Sequence, residues 1–196
     1  PTLPSVAPAQ PSPAPTTVAT SFGRLAIADA NQASVNLIDL ATTQTVADIS
    51  LHNPASALYT SPQSGYVVAI QRKQNLVEFI DSGLNQTQPQ APSLHTFSIT
   101  DAMPTHFDVS AQAAALFLDG DSAVGLNAGF QVLTDASIKQ GKTIASHQFT
   151  QAMHGTTQLS GEFALTTLRS DANTTALPDK VVLLHQHGDH YHEEQT

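Results

Sequence analysis

Cysteine is absent from all 196 residues, and so is tryptophan. Without thiols the chain can form neither a disulfide nor a thiolate metal site, so any bound metal must be held by nitrogen and oxygen. Basic residues are scarce: 7 Lys and Arg stand against 16 Asp and Glu, giving a formal net charge of −9. That balance argues against nucleic acid and anionic membrane surfaces as main partners and suits cations. Charged residues make up only 12% of the chain, so Thr, Ser, Gln and Ala do much of the surface work. No apolar run approaches the ~18 residues needed to cross a bilayer, so no membrane-spanning segment is expected. One domain is the default at this length.

Proline is concentrated at the start. Pro1, Pro4, Pro8, Pro11, Pro13 and Pro15 are half of the 12 prolines. The residues between them are mostly Ala, Ser, Thr and Gln, which cannot bury apolar area. Residues 1–20 are therefore predicted to be an extended, disordered linker. The chain begins at Pro1 rather than Met. A removed export signal and an incomplete upstream piece are the two explanations.

From Ser21 the pattern becomes one of short alternating strands separated by turns. Gly23–Asp29, Ser34–Leu40 and Thr45–Leu51 read as three strands. Strands of five to seven residues with turn signals at this spacing indicate an all-β sandwich, barrel or propeller. The unit then recurs. Ser34-Val35-Asn36-Leu37-Ile38-Asp39 is echoed by Leu76-Val77-Glu78-Phe79-Ile80-Asp81, both closing on Ile-Asp. The offset from Asp39 to Asp81 matches the ~40–45 residues of a propeller blade. Further units run through Phe107–Leu133 and Gly155–Leu184. The expectation is an all-β β-propeller of about four blades over residues 21–196, forming part of a larger ring.

The end of the chain holds the densest chemistry. His185-Gln186-His187-Gly188-Asp189-His190-Tyr191-His192 carries four of the nine histidines. Neutral imidazole and carboxylate suit borderline divalent metals such as Zn²⁺. His185 and His187 are two apart, as are His190 and His192, so in extended chain each pair projects to one side. Gly188 between them lets one pair fold toward the other. His185, His187, Asp189, His190 and His192 are thus candidate metal ligands. His106 and His154 join them, because they occupy matching places one blade apart and blade loops converge on a central channel. Asp119 and Asp121 read as turn residues. His52, His95 and His147 read as surface residues.

The string His185–His190 also fits H-x-H-x-D-H, the dinuclear-metal signature of metallo-β-lactamase-type hydrolases, which makes a zinc hydrolase one alternative. Leu184 stands where that family usually has Thr, and the family's further ligands lie well downstream of the motif. A non-catalytic propeller scaffold is the other alternative.

Several segments together resemble the AztD family of bacterial periplasmic zinc chaperones. They are Gly23–Ala30, Val77–Leu84, Pro104–Phe107, Leu116–Asp121, His154-Gly155, Leu177–Val181 and His187–His192. They fall in the same order over residues 22–192. The resemblance implies a β-propeller that is not an enzyme. It would capture Zn²⁺ in the periplasm and pass it to the solute-binding protein of a zinc ABC transporter. It further implies that His187, Asp189, His190 and His192 bind metal, with His106 and His154 matching family histidine positions. One departure is clear. A His-rich insertion follows the position of Leu84 in that family, and here the stretch is Asn85-Gln86-Thr87-Gln88-Pro89-Gln90. The family's later blades are also missing from this chain.

Overall fold

A computed structural model describes residues 22–84, 90–169 and 177–194. The expected linker over residues 1–20 lies outside the described residues, as do residues 85–89. The described residues form fifteen strands: β1 Arg24–Ala28, β2 Ser34–Asp39, β3 Thr45–Ser50, β4 Ala57–Thr60, β5 Tyr66–Gln71, β6 Leu76–Asp81, β7 Ser93–Thr100, β8 Pro104–Val109, β9 Ala114–Leu118, β10 Gly129–Leu133, β11 Ala145–Gln148, β12 His154–Ser160, β13 Phe163–Arg169, β14 Lys180–His187 and β15 His190–Glu193. A short helix, α1, spans Asp135–Lys139.

Pairing is antiparallel between chain neighbours, in the order β1-β2-β3, then β4-β5-β6-β7, β8-β9-β10-β11 and β12-β13-β14-β15. These are four blades. Blades 2, 3 and 4 have four strands each; the described part of blade 1 has three. Register aligns β1 and β2 with β5 and β6 of blade 2, so blade 1 shows its second to fourth strands. The repeated Ile-Asp ends β2 and β6, where each carboxylate caps the following turn. Asp39 Oδ1 accepts from the Ala41 and Thr42 amides at 2.9 and 3.1 Å, and Asp81 Oδ1 from the Gly83 amide at 2.8 Å. Blades 3 and 4 also touch at their outer edges, through one parallel pairing of Ser146 with His190.

The core lies between blades. Side chains alternate across a strand, so a strand between two neighbours must be apolar on both faces. In β5, Val67 and Ala69 pack toward blade 1 with Val35 and Leu37, whereas Tyr66, Val68 and Ile70 pack toward blade 3 with Phe107 and Leu116. In β9, Leu116 joins that second layer and Phe117 joins a third, with Phe130, Leu168 and Leu184. Every residue of β5 and β9 is consequently buried. The end blades are buried on one face only. Leu25 and Ile27 on blade 1 each stay 47% exposed, and Phe163, Leu165, Val181 and Leu183 on blade 4 are exposed likewise.

A buried carboxylate fastens blade 2 to blade 3. Thr134 caps α1 through a reciprocal bond with Ser137, a capping box that fixes the first turn. This aims Asp135 into the Ser61–Gly65 turn of blade 2. There it accepts from Ser61 Oγ at 2.8 Å, the Gln63 amide at 3.0 Å and the Gly65 amide at 2.9 Å. Replacing Asp135 with Ala strands two buried donors and one partly buried donor, so Asp135→Ala should lower stability by about 3 kcal/mol. Asp135→Asn, which keeps one acceptor oxygen, should lose less. Denaturant unfolding of the metal-free protein measures both.

Candidate metal centres

Successive strands in a blade alternate in direction, so each first strand begins at the same face where the second strand ends. His106 near the start of β8 and His154 at the start of β12 therefore share a face with Asp119, which follows β9. Local backbone aims them. The register of β8 against β9 shifts between Pro104 and His106, a bulge of the kind that redirects a side chain. Met103, just upstream, holds φ +56. In β12, Gly155 lies so close to blade 3 that an added Cβ would stand 2.7 Å from the Phe117 ring. Only glycine lets β12 approach this far, and His154 is the residue beside it.

The structure brings His106 and His154 together, Nε2 to Nε2 at 3.4 Å. Two imidazoles bound to one tetrahedral zinc at 2.0–2.1 Å place their nitrogens about 3.3–3.4 Å apart, so the spacing suits a shared ion. Behind His154, Nδ1 lies 3.0 and 3.2 Å from the two Asp119 oxygens. Asp119 also pairs with Arg72 Nη2 at 2.7 Å and is 1% exposed. A carboxylate can only accept, so His154 Nδ1 donates to Asp119 and Nε2 is the nitrogen that faces His106. This is the outer-shell arrangement that orients metal-ligating histidines. Asp108, held by the Thr156 hydroxyl, lines the same cavity of about 440 Å³.

Burial is the main cause that pulls His106 below the ordinary histidine pKa. Asp108 and Asp119 oppose it, while His154 and Arg72 add to it. The imidazole is therefore kept neutral, the form that binds metal.

The terminal string forms the second centre, and it is a hairpin rather than a flexible tail. β14 pairs with β15 so that His185 faces His192 and His187 faces His190. The turn is tight because Gly188 takes φ +63. All four histidines fall on one side, and Gln186 and Tyr191 fall on the other. Tyr191 is buried in the layer between blades 3 and 4 and anchors the hairpin. His185, His187 and His192 bring one ligand atom each to within 4.8 Å of one another. Glu162 and Glu194 flank His185 at 3.5 and 3.4 Å. Asp189 and His190 lie outside this trio. Asp189 is 94% exposed in the turn and meets His190 Nδ1 at 3.3 Å. The trio thus draws on His192, which the H-x-H-x-D-H string does not contain. β14 runs in the same direction as β12, so its end lies at the face opposite His106 and His154.

No protein-family model matches the sequence, and no curated protein matches it. Among solved structures, apo AztD from Citrobacter koseri superposes with a TM-score of 0.69 at 24% identity, covering 83% of this chain and 44% of that one. The fold is AztD-like. A second structure of Citrobacter koseri AztD superposes at a TM-score of 0.68 and 23% identity over the same shares. Hydrazine synthase from Kuenenia stuttgartiensis superposes at 0.53 with 15% identity, covering 84% of this chain and 48% of that one. The chain spans less than half the length of the AztD structures that it matches. β8 and β12, the first strands of blades 3 and 4, place His106 and His154 side by side at one face.

Two residues of this arrangement carry no local signal. Asp119 reads as a turn residue, yet it reaches His154 across 35 positions, and Arg72 reaches Asp119 across 47. His147, expected at the surface, is instead half-buried. It packs against Phe130 and Phe149, with Nδ1 at 2.8 Å from the Tyr191 carbonyl. Burial lowers its pKa, against the pull of that carbonyl. His106 and His147 both have folded pKa values below the unfolded value of about 6.5. Their contribution to stability is whole above that value and is lost as pH falls below it. Metal-free protein should therefore become easier to unfold from pH 7 to 5, and a His106→Gln, His147→Gln variant should show a flatter profile in denaturant titrations.

Proposed function

We propose that this chain is a metal-binding part of a periplasmic zinc chaperone. It captures Zn²⁺ and passes it to the solute-binding protein of a zinc ABC transporter. The observation that carries the reading is the His106–His154 pair, set at ligand spacing with buried Asp119 behind it. The resemblance of the sequence to the AztD family supports zinc as the cargo, and the superposition supports the fold. Lack of thiols restricts the donors to nitrogen and oxygen, and two imidazoles with a nearby carboxylate fit Zn²⁺. Net negative charge favours approach of the cation. Among the described residues no helix is long and apolar enough to cross a membrane.

The two centres suit different steps. The hairpin trio is open to solvent, where an ion enters and leaves without moving protein. The channel pair is partly buried and braced, so it holds the ion longer. A chaperone needs both capture and release, and stepwise exchange of imidazoles provides release without a free-ion stage.

The test is a zinc titration in competition with a chromophoric chelator. His106→Ala with His154→Ala should remove the tighter site, weakening it by more than about 100-fold, beyond the 10–100-fold expected for an outer-shell change. His185→Ala, His187→Ala and His192→Ala together should remove a second, weaker site. Unchanged binding in both variants, or no competition by the parent chain, defeats the reading. Added zinc solute-binding protein should draw metal from the loaded chain faster than buffer alone does.

A further inference from the structure

Asp119 serves two partners at once. Its Oδ2 accepts from Arg72 Nη2 at 2.7 Å and from His154 Nδ1 at 3.0 Å. The three residues come from three blades: Arg72 follows β5, Asp119 follows β9 and His154 opens β12. Arg72 is fixed at its other end as well. Nη1 donates to the Met103 carbonyl at 3.2 Å and to the Thr105 hydroxyl, in the segment that leads directly into His106. One guanidinium therefore grips the backbone before one histidine and the carboxylate behind the other.

A carboxylate on the far nitrogen of a metal-bound imidazole makes that imidazole a stronger donor. A carboxylate shared with a guanidinium has less charge to lend. The guanidinium is permanently positive, and a positive charge this close also repels a bound cation. Both effects loosen metal. We infer that Arg72 sets the affinity of the His106–His154 centre, weakening it so that bound zinc can be released. This rests on the zinc reading above. A storage site would gain from an undivided Asp119; a site that must give up its ion gains from a divided one.

A merely structural ion pair makes the opposite forecast, because removing it would loosen the histidines and weaken binding. The sign of the effect separates the two. The experiment uses the full chain carrying His185→Ala, His187→Ala and His192→Ala, so that the channel centre is read alone. Zinc affinity is measured by chelator competition and release by the rate of transfer to excess chelator, with Co²⁺ absorption reporting the ligand set. Arg72→Gln should bind zinc about ten-fold more tightly, the lower end of outer-shell effects, and release it correspondingly more slowly. Arg72→Met, which keeps the aliphatic stem, should do the same. Arg72→Lys should stay near the parent. Asp119→Asn should weaken binding, and adding Arg72→Gln to it should produce no tightening. Equal or weaker binding in both Arg72→Gln and Arg72→Met overturns the inference. Full tightening in the Asp119→Asn background overturns the route through Asp119. A parent chain that binds no zinc at His106 and His154 defeats the zinc reading itself, an outcome distinct from zinc binding that Arg72 does not tune.

Discussion

Face-to-face burial of neighbouring blades is the constraint on which the rest depends. A four-stranded antiparallel sheet exposes two faces, and the middle blades here are apolar on both. Val67 and Ala69 look one way from β5 while Val68 and Ile70 look the other. Burial of this kind stabilises in proportion to area, at roughly 25 cal/mol per Å². It leaves little freedom in how one blade sits on the next, because packed interiors tolerate few voids. The end blades show the same rule by omission, with Leu25, Ile27, Phe163 and Leu165 half in solvent. Among the described residues no neighbouring blade covers these two faces.

Fixed blade stacking is what allows a binding centre to be assembled from separate sheets. His106 and His154 meet only because β12 lies tightly against blade 3, and Gly155 is the residue that permits the approach. Asp119 and Asp135 do comparable work at the two faces. Each is a buried carboxylate from blade 3 that engages a neighbouring blade, Asp135 through the Ser61–Gly65 turn and Asp119 through Arg72 and His154. Their difference is in their partners. Asp135 is satisfied by a hydroxyl and two amides and is purely structural. Asp119 is divided between a fixed cation and an imidazole, so its charge bears on whatever the imidazole binds.

The two histidine centres contrast in construction. The hairpin is local: four histidines come from eight consecutive residues, folded by one glycine turn and held by one buried tyrosine. His187 and His192 are exposed and His185 is partly buried, and the spacing of the three follows from strand geometry alone. The His106–His154 pair is non-local, braced and half-buried, and its nitrogens are aligned by elements far apart in sequence. The two histidine groups therefore differ both in the face they occupy and in how far they are exposed.

Much was determined by sequence alone. Alternation with a period of two, turns at regular spacing and the Ile-Asp echo between Asp39 and Asp81 define an all-β repeat protein, because each depends only on residues near one another. The hairpin histidines were legible for the same reason, and so was the likeness of His106 and His154 as matching positions in successive blades. Tertiary structure decided the rest. It selected His192 over Asp189 as the companion of His185 and His187, since strand pairing, not proximity in sequence, sets which rings share a side. It half-buried His147 against two phenylalanines, because the Tyr191 strand and the Phe130–Phe149 layer close over that side of β11. It also turned Asp119 from a turn residue into the support of His154 and gave it Arg72 as a rival partner. Those contacts span dozens of positions and exist only once three blades are stacked, so no local pattern in the sequence encodes them.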